Sequence, residues 1–127
     1  MVSVRAAKSK GSQFEYDCQY SLSKVFPDIY RTAERGFQMQ IDLCSDEQET
    51  VFECKRLKAI SWNQAKNFYL KLTDVTPTAR NRYLLFQSNR QPCLVFYLDD
   101  NYGYLIQEFE NVFGTQFEKH PSTRVKK

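Results

Sequence analysis

The sequence predicts an α/β domain, a mixed β-sheet flanked by helices in the order αβββαβ. Apolar residues recur at helical spacing near the start, alternate strictly from Phe37, and return to helical spacing after Ser61. Two further apolar runs follow, of the kind that form central strands covered on both faces. The chain has 127 residues, 42% of them hydrophobic, with only 4 Gly and 4 Pro, which suits one folded domain and excludes a two-domain enzyme or a disordered chain. That domain is expected over residues 12–119, between a basic flexible tail at residues 1–11 and another at residues 120–127.

The elements follow in order. Ser12 and Glu15 have the spacing of a capping box, and Phe14, Cys18, Leu22 and Val25 share one helical face, so a helix is expected from about Gln13 to Phe26, before Pro27. Ile29–Ala33 is short and β-prone, with a turn at residues 34–36. From Phe37 the alternation of Phe37, Met39, Ile41 and Leu43 against Gln38, Gln40, Asp42 and Cys44 marks a half-buried strand. The polar stretch Ser45–Glu49 reads as a hairpin loop and Thr50–Lys58 as the returning strand. Ser61 can cap a helix to Leu72 whose apolar stripe includes Trp62, Ala65, Phe68, Tyr69 and Leu72, and residues 73–81 read as a linker. The apolar runs Tyr83–Gln87 and Cys93–Leu98 are the expected central strands. After a turn at residues 99–101 the pattern allows a strand at Tyr102–Ile106 or a helix at Gln107–Phe113. Three adjacent strands suggest an antiparallel meander, and the second helix allows a crossover to a strand parallel to the third.

Charge and cysteine usage narrow the chemistry. The formal charge of +3 permits a polyanionic partner without demanding one. Cys18, Cys44, Cys54 and Cys93 form no Cys-x-x-Cys pair, and one His is present, so neither a disulfide scaffold nor a zinc knuckle is expected. No apolar run is long enough for a membrane span, and no secretory signal opens the chain, so a reducing, cytoplasmic setting is expected. The tyrosines and phenylalanines sit mostly at periodic positions and are expected in the core, Trp62 with them; the apolar surplus around Phe96, Tyr97, Phe109 and Phe113 suggests a homodimer interface.

Glu53 and Lys55 lie two apart on one strand and project to the same face, while Phe52 and Cys54 point the other way. A hairpin around residues 45–49 brings Asp42 near Glu53. Two carboxylates beside the Cys54 carbonyl suit Mg2+, which keeps several waters and is completed by substrate phosphate; Mn2+ is expected to substitute. With a nearby Lys to orient water, such a group can hydrolyse a phosphodiester. The alternative is a solvent-facing Glu53–Lys55 ion pair worth about 0–1 kcal/mol, with Asp42 on the solvent face. Arg31, Arg35, Arg56, Lys58 and Lys66, together with Arg5, Lys8 and Lys10 of the N-terminal segment, could hold phosphates or simply be solvated.

Asp42 and Glu53-Cys54-Lys55 on adjoining strands, between two helices, resemble the PD-(D/E)xK nuclease superfamily. The lead-in Lys8-Ser9-Lys10-Gly11-Ser12-Gln13-Phe14-Glu15 resembles the start of archaeal-type Holliday-junction resolvases and their viral relatives. The resemblance covers roughly residues 8–72. It implies a restriction-endonuclease-like fold, a place for Glu15 in the metal site, and a polar position on the second helix that Gln64 matches. The sequence departs from the family pattern in having Ile41 before the acid and Cys54 between Glu53 and Lys55, and Asp46 is the fallback ligand if the strand register slips. The function implied is an Mg2+-dependent endodeoxyribonuclease, a homodimer cutting four-way DNA junctions by paired nicks that leave a 5′-phosphate and a 3′-hydroxyl. Another nuclease of the superfamily acting on duplex or flap DNA, or a silent DNA-binding module, would fit the same residues, and a phage or viral origin would suit so compact a resolvase.

Overall fold

The computed structural model describes the backbone of residues 4–35 and 41–121, and the side chains from residue 13 onward within those ranges. Helix α1 (Val4–Leu22) leads into strand β1 (Tyr30–Arg31) and a 3-10 turn (Thr32–Arg35). Strands β2 (Leu43–Ser45) and β3 (Thr50–Arg56) form a hairpin. Helix α2 (Trp62–Val75) then crosses over to β4 (Asn81–Gln87), followed by β5 (Leu94–Asp99), β6 (Gly103–Glu108) and a short α3 (Phe109–Phe113). The six strands form one mixed sheet in the order β1-β2-β3-β4-β5-β6, antiparallel throughout except that β4 runs parallel to β3. This is the expected α/β architecture: an antiparallel meander, then a helical crossover to a parallel strand.

The alternation of the central strands sets the two layers. Phe52, Cys54, Leu85 and Val95 face α1 and meet Phe14, Cys18 and Leu22, while Leu84, Phe86 and Phe96 face α2 and meet Ala65 and Tyr69. β4 is therefore covered on both sides, as its unbroken apolar run requires. None of the described helices is long and apolar enough to cross a membrane.

Several expectations need correction. α1 begins at Val4, so Ser12 lies inside it rather than capping it, and part of the expected tail at residues 1–11 is helical. Ala, Lys and Arg are strong helix formers and carry the helix back past Gly11. The helix ends at Leu22, and Ser23–Phe26 leave it in tight turns that reuse the Leu22 carbonyl. The expected strand from Phe37 is seen only at its end, β2; residues 36–40 lie outside the described residues, as do residues 122–127. α2 runs past Leu72 because neither Gly nor Pro interrupts residues 73–75 and Pro77 restricts only Thr76 before it; the Thr73 hydroxyl donates to the Tyr69 carbonyl at 3.0 Å within this last turn. Both readings after residue 101 hold in part, since β6 passes directly into α3.

Trp62 is 46% exposed, touching Phe96 edge-on at 5.1 Å instead of sinking into the core. Conversely Phe96 and Phe109 are fully buried and Tyr97 and Phe113 pack against the core. The apolar surplus that suggested a dimer interface thus fills the chain's own interior. Residues beyond α3 return to α1: the Glu118 amide donates to Ser21 Oγ at 2.8 Å, and the His120 amide donates to Asp17 at 2.7 Å. His120, expected to open a tail, is packed against the rings of Tyr16 and Tyr20.

Candidate metal and phosphodiester site

The hairpin register is Leu43↔Phe52, Cys44↔Val51 and Ser45↔Thr50. Its tip is fixed by Asp28, which accepts from Ser45 Oγ at 2.6 Å and from the Glu47 amide at 3.0 Å; these bonds hold the Asp28 carboxyl below its usual range. Continued past Leu43, the register brings Asp42 to Glu53. The Asp42 amide donates to the Phe52 carbonyl at 3.1 Å, the Asp42 carbonyl accepts from the Thr32 amide at 3.1 Å, and its carboxylate accepts from the Cys54 amide at 2.7 Å. Two backbone bonds therefore fix Asp42 between the 3-10 turn and β3, and the third aims its carboxylate at β3.

Asp42, Glu53 and Lys55 line one cavity of about 280 Å³ with Phe68, Lys71 and Leu72 of α2. Lys55 Nζ lies 3.3 Å from Glu53 and 4.9 Å above the Phe68 ring, so the ammonium is confined beside the carboxylates. Burial pushes the Asp42 carboxyl up to about 8, and the Glu53 charge adds to the rise. Glu53 is raised as well, by burial first, against the lowering pull of Lys55. Two carboxylates that resist ionising together form a site where added positive charge is favourable.

Glu15 approaches from α1 and interacts with both Asp42 and Glu53. Its carboxylate is held by Arg31, whose Nε and Nη2 donate to one oxygen at 3.1 and 2.7 Å, and the guanidinium lies 4.1 Å over the Tyr16 ring. Only 12% of the Arg31 side chain is exposed. Arg31, expected to face DNA, faces Glu15 instead.

Other expected residues stand elsewhere. Asp46 is exposed, accepts from the Tyr30 hydroxyl and pairs with Arg35, so the fallback ligand is not at the site. Arg35 also stacks over Tyr30 at 3.5 Å. Arg56 donates to the Ser88 carbonyl and to Asn89, Lys58 is exposed, and Lys66 lies over the Tyr104 ring. Gln64 is at the mouth of α2, where its Oε1 accepts from the Ser61 amide at 2.9 Å while Ser61 Oγ accepts from the Gln64 amide; it completes a capping box and does not line the cavity. The side chains of Arg5, Lys8 and Lys10 lie outside those described. Phe68 and Lys71, which do line the cavity, were not singled out for it from the sequence; their positions one and two turns beyond Gln64 on the same helical face were the available signal.

Among the described residues no group of three or more His, Cys, Asp or Glu side chains is gathered to hold a metal ion. Asp42 and Glu53 nonetheless fit a hard divalent cation: both are oxygen donors, both are partly desolvated, and Mg2+ needs only one or two carboxylates because it keeps waters. Glu15, committed to Arg31, stands behind them.

No family model matches the sequence, and no curated protein matches it. Among solved structures, the chain is similar to Archaeoglobus fulgidus Hjc, a Holliday junction resolvase from an archaeal hyperthermophile, with a TM-score of 0.52 and 17% identity over 86% of this chain and 99% of that one. The likeness is one of fold, and it bears out the restriction-endonuclease-like sheet expected from the sequence.

Proposed function

We propose that this chain is a metal-dependent, structure-specific endodeoxyribonuclease that resolves four-way DNA junctions by paired symmetric nicks. The observation that carries this reading is the meeting of Asp42, Glu53 and Lys55 on one wall of a cavity, two carboxylates with raised pKa beside an ammonium. The fold likeness to a protein described as a Holliday junction resolvase supports the choice of substrate.

Asp42 and Glu53, with the Cys54 carbonyl, would hold Mg2+ or Mn2+. Such a cation polarises a phosphodiester and lowers the pKa of a bound water. Lys55 donates a hydrogen bond to the attacking water and offsets charge that builds on the phosphoryl oxygens. Glu15, braced by Arg31, adds a third carboxylate that opposes ionisation of the pair and so favours the arrival of a cation beside it. A homodimer suits this substrate, because a four-way junction is approximately two-fold symmetric and needs two cuts.

The test is to incubate the protein with a four-way junction, a linear duplex and a flap, each with Mg2+ or with EDTA. Symmetric, Mg2+-dependent nicks on the junction alone are expected. Cutting of duplex or flap instead would redirect the substrate assignment, and binding without cutting would overturn the nuclease reading.

A further inference from the structure

Resting on the nuclease reading, we propose that Lys71 holds a phosphate of the cleaved strand next to the scissile one. Two lysines line the cavity, and they are not equivalent. Lys55 is 3.3 Å from Glu53, held over the Phe68 ring, with its side chain 34% exposed. Lys71 lies on the opposite wall, on α2, is exposed, and makes no ion pair with any described residue.

The helix explains the placement. Phe68, Lys71 and Leu72 share one face at spacings of three and four; Leu72 is buried against Ile41 and Val51, which turns that face toward the sheet and leaves the longer Lys71 reaching the cavity rim. Charge gives the ligand class. Lys71 brings to its wall of the cavity a positive charge that no described carboxylate pairs with, and a phosphodiester is the anion the proposed reaction supplies there. One phosphate then lies at the carboxylate wall and its neighbour at the Lys71 wall. A strand crossing the cavity presents both. The contact is made equally before and during bond cleavage, so it strengthens binding more than it speeds the chemical step.

The experiment measures binding of the four-way junction by the native protein, Lys71→Ala and Lys71→Arg across a range of salt, with Ca2+ in place of Mg2+ to keep the junction uncut. Single neutral methylphosphonates replace the phosphates flanking the scissile one. Loss of one phosphate contact is expected to weaken binding by Lys71→Ala about tenfold at low salt and to reduce the slope of log affinity against log salt by about 0.9, with Lys71→Arg restoring both. One flanking methylphosphonate should weaken the native protein and leave Lys71→Ala unaffected. In Mg2+, Lys71→Ala should raise KM with kcat nearly unchanged. Native affinity and salt slope in Lys71→Ala, or equal sensitivity of both proteins to every methylphosphonate, would overturn the assignment. Failure of the native protein to cut any DNA would overturn the nuclease reading, whereas the affinities and salt slopes of the native protein, Lys71→Ala and Lys71→Arg need no cut and read the phosphate contact by themselves.

Discussion

Asp42 keeps its proton up to about pH 8 because burial and the Glu53 charge both oppose ionisation, although the Cys54 amide pulls the other way. The folded chain therefore binds this proton more tightly than an unfolded chain, in which the same group titrates near 3.8. Stability from this group is fully present below that value and is lost as pH rises toward 8. Asn in its place can still accept from the Cys54 amide and has no proton to lose. In EDTA, Asp42→Asn is expected to melt near the native protein at pH 4.5 and above it at pH 8; a constant difference across that range would contradict the raised pKa. Arg31 gives a second prediction. Its fork to Glu15 is almost closed to solvent, so Arg31→Met leaves a carboxylate beside two others without its counter-charge, and about 2 kcal/mol of stability is expected to go, read by urea melting. Arg31→Lys should recover only part of this, because an ammonium cannot reproduce the two donated bonds or the stacking on Tyr16.

The second helix shows how a local rule can be read for the wrong purpose. The Ser61 cap was legible in the sequence, and the box with Gln64 closes it from both sides. Ser61→Ala is expected to cost about 1 kcal/mol in stability. Gln64→Ala should cost less and leave kcat unchanged; a fall in kcat would return that side chain to the chemistry. Capping boxes are permissive, as α1 shows. Ser12 and Glu15 have the same spacing, yet Glu15 is drawn to Arg31 and the helix runs on through the basic residues before it. Strand faces were read more securely, because alternation fixes both sides of a strand at once: Glu53 and Lys55 lie opposite Phe52 and Cys54 as expected, and the fold turns the first pair toward α2 and the second toward α1. What alternation could not show was the partner of Arg31, a contact between elements far apart in the chain.

Across the whole molecule, the crossover through α2 is what makes the site. It sets β4 parallel to β3 and lays Phe68 and Lys71 over the strand that carries Glu53 and Lys55, while the hairpin supplies Asp42 and α1 supplies Glu15. The order of elements and the acidic pair were legible from periodicity and spacing. The destination of the C-terminal aromatics was not, because an apolar run looks the same whether it fills its own core or a partner's; Phe96 and Phe109 fill their own. The most direct measurement of the central claim is Mn2+ uptake followed by electron paramagnetic resonance at neutral pH, on the native chain and on Asp42→Asn and Glu53→Gln. Saturable uptake by the native chain that is lost in both variants is the predicted result. Uptake unchanged by either substitution, or no uptake by the native chain, would contradict it.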